Sequence, residues 1–330
     1  MRVLFAGTPA FVVPCLEAAA EGRHVCGVLT NPDRPSGRGR RTIPPPIKEH
    51  ARRLGIPSLQ PGRLDNEALD RVRSLEPDVL VVAAYSRIFK KSFIDLFPRG
   101  GINVHPSLLP RLRGPSPVQA AILAGDGETG VTVQRLALRM DAGDILAQQR
   151  IPLTGRETSP ELLETAFRLG AGLLRGVLQR METGPIEGTP QRDEEATYCR
   201  LISREEGLID WRESAVIIDR KIRAYLPWPR AHTLYGGSEL YLLYGDVHTG
   251  QGAPSRPWHG AREAAVSGGE PAAREEPGTV IGVDKRCGIL IQTGQGILSV
   301  ERLQLRTRKA MDWRSFVNGM PDFVGSRLGV

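Results

Sequence analysis

The sequence predicts an α/β protein: a mostly parallel sheet covered by helices on both faces, followed by a small β-barrel domain. Two patterns carry this reading. In the first half, near-continuous apolar runs at Val3 to Ala6, Val25 to Thr30, Val79 to Ala84 and Ile102 to His105 alternate with helical patterns such as Pro46 to Leu54 and Asn66 to Leu75. Strands that are apolar throughout and separated by helices belong to a parallel sheet buried on both sides. In the last third, short strand patterns lie between glycine turns, at Thr233 to Tyr235, Leu240 to Val247, Gly278 to Val283, Gly288 to Thr293 and Ile297 to Leu305. Such spacing suggests a small barrel, and an OB-like barrel is the version most often found with oligonucleotides.

The first element could pass for a secretory leader, since Met1-Arg2 is followed by Val3-Leu4-Phe5-Ala6. Gly7-Thr8-Pro9 interrupts that run and Glu17 and Glu21 follow, so it reads as a buried strand turning into a helix. The turn has one glycine and a proline where a dinucleotide fingerprint needs G-x-G-x-x-G, so no nicotinamide cofactor is expected. Next comes Asp33-Arg34-Pro35-Ser36-Gly37-Arg38-Gly39-Arg40-Arg41, a basic Gly/Pro/Ser-rich loop followed by Lys48, Arg52 and Arg53. Guanidinium groups on such a loop suit phosphate backbones, although a charge run can also be merely solvated. The formal net charge of +7 points the same way.

After Asp144 a strand pair is expected at Ile145 to Gln149 and Ile151 to Leu153, then an amphipathic helix from Pro160 to Thr183 that Gly184-Pro185 ends. The polar stretch from Ile186 to Gly207 lacks apolar periodicity and reads as a linker packed along the surface. The predicted organisation is therefore a catalytic domain over 1–184, a linker over 185–207 and a barrel domain over 208–330. That last domain opens with Ile209-Asp210-Trp211 and a short helix from Ser214 to Ala224, and closes with a helix from Trp313 to Asn318. Residues 249–277 are rich in Gly, Ala, Pro, Glu and Arg and read as a flexible insertion outside the core.

At 330 residues and 40% hydrophobic content, the chain is long enough for two domains. Cys15, Cys26, Cys199 and Cys287 have no C-x-x-C spacing, which argues against a zinc site or a disulfide framework and fits a reduced, cytoplasmic setting. No apolar stretch approaches transmembrane length, so no membrane association is expected.

The chemistry concentrates in Gly101-Ile102-Asn103-Val104-His105-Pro106-Ser107-Leu108-Leu109-Pro110 and, further on, Met140-Asp141-Ala142-Gly143-Asp144. Asn103 and His105 alternate with apolar neighbours, so in a strand both point to one face. An Asn amide can donate to an oxygen that becomes negative when an amine attacks a carbonyl carbon. An imidazole can pass protons at neutral pH, and a carboxylate such as Asp141 can orient it. The trio suits acyl transfer to an amine without a metal or a covalent intermediate.

These residues resemble the signature of the folate-dependent formyltransferases, and the likeness runs over nearly the whole chain. It extends through Phe5-Ala6-Gly7-Thr8-Pro9, Pro32 to Gly39, Gly130-Val131-Thr132, Glu205 to Trp211 and Ile222 to Pro229. The last two lie outside the catalytic domain and point to the branch of the family that acts on aminoacylated tRNA. The resemblance implies a Rossmann-like domain that moves the formyl group of 10-formyltetrahydrofolate to the methionine of initiator methionyl-tRNA, with an OB-like domain along the tRNA. It implies Asn103, His105 and Asp141 as catalytic residues, Ser107, Leu108, Leu109 and Pro110 along the folate, and Arg87, Ile88 and Phe89 facing the pterin through backbone groups. It assigns Arg34, Arg38, Arg40 and Arg41 to the tRNA, with no metal and a monomeric chain. Ser86, Phe89-Lys90 and Pro106 depart from the family pattern, which usually has Gly, Leu-Pro and a small residue there. Other readings are a formyltransferase for a small amine, a formyltetrahydrofolate hydrolase, and a silent RNA-binding protein.

Overall fold

A computed structural model of the chain describes residues 1–36, 41–249 and 275–329. Its contacts divide the chain into two compact units: Met1–Val118, Gly127–Leu153 and Glu161–Arg200 form the first, and Gln119–Asp126, Thr154–Pro160 and Leu201–Val330 the second. In chain order the elements up to Thr183 are β1 (Arg2–Gly7), α1 (Val13–Ala20), β2 (His24–Leu29), β3 (Arg34–Ser36), β4 (Arg41–Ile43), α2 (Pro46–Arg53), β5 (Ser58–Leu59), α3 (Asn66–Arg73), β6 (Val79–Ala83), α4 (Lys91–Ile94), β7 (Gly101–His105), α5 (Pro117–Ala124), β8 (Glu128–Arg135), β9 (Ile145–Pro152) and α6 (Ser159–Thr183).

The main sheet of the first unit runs β5-β2-β1-β6-β7-β8-β9. Strands β5, β2, β1, β6 and β7 pair in parallel, whereas β8 and β9 add on antiparallel. This is the Rossmann-like arrangement expected from the apolar strands. Two expectations are corrected. The pair of strands at 145–149 and 151–153 is the single strand β9, and its long partner β8 was not foreseen. Gln148, Gln149 and Arg150 are exposed one after another on β9, which breaks the apolar alternation and imitates a turn. The basic run is likewise not loop throughout, because β3 and β4 pair as a two-stranded ribbon with Ser36 opposite Arg41.

The core under the site consists of Ile102 and Val104 on β7 and Val131 and Val133 on β8, all almost fully buried. Helix α6 lies directly on them at Gly170, where a Cβ would stand 2.6 Å from Val104 Cγ1 and 2.9 Å from Val131 Cγ2. Both distances are too short for a side chain, so only glycine lets the helix backbone approach this closely. Close packing of this kind fixes the strand that carries Asn103 and His105.

The second unit continues with α7 (Ala215–Ala224), β10 (His232–Tyr235), β11 (Ser238–His248), β12 (Val280–Asp284), β13 (Gly288–Gln292), β14 (Ile297–Leu305), β15 (Met311–Asp312) and α8 (Trp313–Asn318). Its antiparallel sheet runs β10-β11-β14-β13-β12, with β15 on β14. The C-terminal segment stitches the two edges: Gly329 N–H donates to Leu234 O on one side, and Leu328 N–H to Gly278 O on the other, each at 2.9 Å. A curled, OB-like half-barrel results. Its core includes Trp211, Ile218, Leu240, Ile291, Val300 and Phe316, and Trp211 Nε1–H donates to Thr233 Oγ1 at 3.0 Å. Of the insertion expected at 249–277, residues 250–274 lie outside the described residues. Among the described residues no helix is long and apolar enough to cross a membrane.

Candidate active site

Because β1, β2, β6 and β7 are parallel, the loops that follow them leave from one edge of the sheet, with Gly7 beside Ala83 and Ala83 beside Val104. In open parallel sheets this carboxyl edge is where ligands bind. A polar chain ties three of its loops together: Thr8 Oγ1 accepts from the Asn31 N–H at 3.4 Å, and the Asn31 side chain exchanges hydrogen bonds with Ser86 Oγ at 3.1 and 3.2 Å. Ser86 thus has a partner of its own.

The structure brings Asn103, His105 and Asp141 together. Asn103 Nδ2 donates to Asp141 Oδ1 at 3.4 Å, leaving its second amide hydrogen for another acceptor. Imidazole Nδ1 of His105 lies 3.7 Å from Asp141 Oδ2, and the ring is only 5% exposed. Its Nε2 faces the Leu112 carbonyl at 3.0 Å, and only a donor can satisfy that contact, so Nε2 carries a proton. The tautomer is therefore set by the backbone of the loop after β7.

Asp141 is held more tightly than the sequence suggests. Its Oδ2 accepts from the Gly114 N–H at 2.9 Å and its Oδ1 from Gln134 Nε2 at 3.0 Å. Its backbone has φ +49, a left-handed conformation uncommon for a residue with a side chain. Gln191 Nε2 donates to the Asp141 carbonyl at 2.9 Å and to the Gly143 carbonyl at 2.6 Å. No spacing rule marks Gln134 or Gln191. The one available signal for Gln134 is its place on the unforeseen strand β8, opposite Asn103.

The loop from Pro106 to Gly114 is pinned along its length. Ser107 is fully buried, and its hydroxyl donates to the Arg111 carbonyl at 2.7 Å rather than into the cleft. Its own carbonyl accepts from Thr132 Oγ1 at 2.7 Å, and the Leu109 carbonyl from Gln148 Nε2 at 2.9 Å. Leu109 is buried, whereas Leu108 and Pro110 are partly exposed. Pro106 heads a tight turn in which the Ser107 N–H donates to the His105 carbonyl at 2.9 Å, so the missing proline donor is not needed there. Further along, Leu112 N–H donates to Thr197 Oγ1 at 2.9 Å, and the backbones of Arg113 and Cys199 exchange bonds with residues 197 and 113. Burial pushes the Cys199 thiol up from its ordinary range, which keeps it neutral beside the site.

The loop after β6 is built differently. Tyr85, Phe89, Phe93 and Phe97 form a ladder with ring centroids 5.6, 5.0 and 5.6 Å apart, which draws Phe89 toward the core. Ile88 is 78% exposed and Arg87 is partly buried. Burial raises the Tyr85 phenol above its ordinary value, with the Arg87 charge opposing it. Exposed Ile88 and part-exposed Leu108 and Pro110 offer apolar surface on loops that leave the same edge as Asn103. Of the four arginines on the basic run, Arg34 lies exposed on β3 and Arg41 begins β4, whereas Arg38 and Arg40 lie outside the described residues. Among the described residues no cluster of His, Cys, Asp and Glu could hold a metal ion.

Comparison with known proteins finds relatives for both parts of the chain. Residues 1–174 match the family model "Formyl transferase", and residues 201–321 match "Formyl transferase, C-terminal domain". Methionyl-tRNA formyltransferase from Treponema denticola is 42% identical, covering 98% of each chain. The enzyme of the same name from Chloroflexus aggregans is 41% identical over 97% of each. Among solved structures, methionyl-tRNA formyltransferase from Clostridium thermocellum superposes with a TM-score of 0.55, at 18% identity, over 76% of this chain and 95% of that one. HypX from Aquifex aeolicus, in complex with tetrahydrofolic acid, gives 0.64 at 17% identity over 98% of this chain, which spans 48% of that longer protein.

Proposed function

The chain belongs to the formyltransferase family, and on that premise we propose that it formylates the α-amine of methionine on initiator tRNA for translation initiation, using 10-formyltetrahydrofolate. The observation that carries the reading is the convergence of Asn103, His105 and Asp141 at the carboxyl edge of the sheet. The tRNA substrate is supported by relatives of that activity that match both units from end to end. When bound, the folate supplies an activated formyl carbon. Leu108, Leu109, Pro110 and the backbone from Arg87 to Phe89 would hold it, with Ser107 shaping the turn from behind.

Asn103 keeps one amide hydrogen on Asp141 and aims the other at oxygen that gains negative charge as the amine attacks. Such a fixed donor is worth about 10²- to 10³-fold in turnover. The His105 and Asp141 pair receives the proton that the amine loses as its bond to carbon forms, and returns it to the departing nitrogen as the old bond breaks. Asp141 holds the imidazolium that exists between these two events. Arg34, Arg38, Arg40 and Arg41 would grip the phosphates of the tRNA, and the monomeric chain would work in the cytoplasm.

The test is transfer of labelled formyl from 10-formyltetrahydrofolate to Met-charged initiator tRNA, beside a charged elongator tRNA and free methionine. Transfer confined to the initiator species is the expected result. Folate consumption without transfer would instead indicate a hydrolase, and transfer to free amines a small-substrate enzyme. Replacing Arg38, Arg40 and Arg41 with Ala should flatten the salt dependence of tRNA binding by up to about one charge each, and an unaltered slope would remove the basic run from the interface.

A further inference from the structure

We infer that Gln191, locked by Arg113, is a positioning residue that sets the orientation of the Asp141 carboxylate. This rests on the proposed formyl transfer. Asp141 sits in a left-handed backbone conformation, and its carbonyl accepts from a side chain far along the chain. Gln191 Nε2 bonds the carbonyls of Asp141 and Gly143 and approaches Gln134 Oε1 at 3.2 Å. Gln134 in turn donates to Asp141 Oδ1. Gln191 therefore reaches the carboxylate twice, once through its own backbone and once through Gln134.

The amide of Gln191 cannot turn over, because its oxygen accepts from Arg113 Nε at 3.0 Å. Arg113 has no exposed surface, and its Nη1 bonds Asp193 Oδ1 at 3.0 Å and the Tyr198 hydroxyl at 3.1 Å. It lies between Leu112, whose carbonyl faces His105, and Gly114, whose N–H holds Asp141. One buried guanidinium thus shares a backbone with both contacts that set the catalytic pair. Asp193 also receives Arg139, and these two arginines, Arg139 first, hold its carboxyl below the ordinary range. Arg113 Nη2 is buried without a partner, but its Nε and Nη1 bonds form a continuous chain that passes a shift at residue 191 to Asp141.

A double-mutant cycle on the full-length enzyme tests this. Gln191→Ala should lower single-turnover formyl transfer by about 10- to 10²-fold, the scale of a small misplacement at a reacting centre, with tRNA affinity unchanged. In an Asp141→Asn background the same change should cost less than about 2-fold, because residues that act through one another are not additive. Gln191→Glu keeps the shape of the side chain but replaces its donors with a charge facing two carbonyls, and should be as slow as Gln191→Ala. An equal loss in both backgrounds, or a folded Gln191→Ala variant with the parent rate, would overturn the inference. A parent enzyme that transfers no formyl at all would instead defeat the functional reading on which it rests.

Discussion

Two loops leave neighbouring strands at the same sheet edge, yet they are held by opposite means. The loop after β7 is fixed by directional bonds: Ser107, Thr132, Gln148 and Thr197 each bond its backbone, and residues 112 and 114 bond His105 and Asp141 in return. The loop after β6 is fixed by an aromatic ladder on its inner side and leaves Ile88 in solvent. Hydrogen bonds specify angles, whereas ring contacts tolerate sliding over a few tenths of an ångström. The first design suits groups that must meet a transition state, and the second suits apolar surface that settles around a ligand.

The largest effect should come from breaking the rigid side at its centre. His105→Ala is expected to lower turnover by about 10²- to 10⁴-fold, the range for a proton-transfer group, with tRNA binding little changed. Steady-state kinetics beside a filter-binding titration would check this, and parent-like turnover would remove His105 from the mechanism.

A smaller loss should follow from Gly114→Ala. Gly114 has φ +115, and a Cβ there would run into the Cys199 carbonyl, so the segment must move and carry the Asp141 contact with it. Turnover should fall by about 10- to 10²-fold, as for other small displacements of a catalytic group. On the adaptable side, Phe89→Ala removes the middle of the ladder, and with two ring contacts worth about 1 kcal/mol each the KM for folate should rise by up to about 30-fold.

The smallest effect lies far from either loop. Cys15 is buried under the sheet, and burial pushes its thiol from 9.0 up to about 12. The unfolded chain ionises this thiol first, so the stability it confers is whole below pH 9 and drains away as pH rises toward 12. Urea midpoints should therefore fall across that window, and less steeply in a Cys15→Ala variant. Equal slopes would mean that Cys15 ionises freely in the folded state.

Apolar runs and helical periods made the parallel half of the sheet legible, and Asn103 and His105 were legible because a strand places alternate residues on one face. Asp141 was singled out by its chemistry and by resemblance, since nothing local relates it to a strand 38 residues earlier. What stayed hidden was whatever depends on distant pairing. Strand β8 mixes Thr, Gly and Gln with its valines, and β9 exposes three polar residues in a row. The anchors from 189–199 come from a stretch read as a surface linker, whose polarity conceals that Gln191 and Thr197 spend their hydrogen bonds on the site. Polar residues that stabilise a backbone from afar have no periodicity to reveal them.

The division of labour between the two loops is tested most directly by measuring folate affinity and single-turnover formyl transfer on both Gly114→Ala and Phe89→Ala. Gly114→Ala is expected to slow transfer at parental folate affinity, and Phe89→Ala to weaken folate while keeping the parental rate at saturation. A Phe89→Ala variant that stays slow at saturating folate, or a Gly114→Ala variant that loses only affinity, would contradict it.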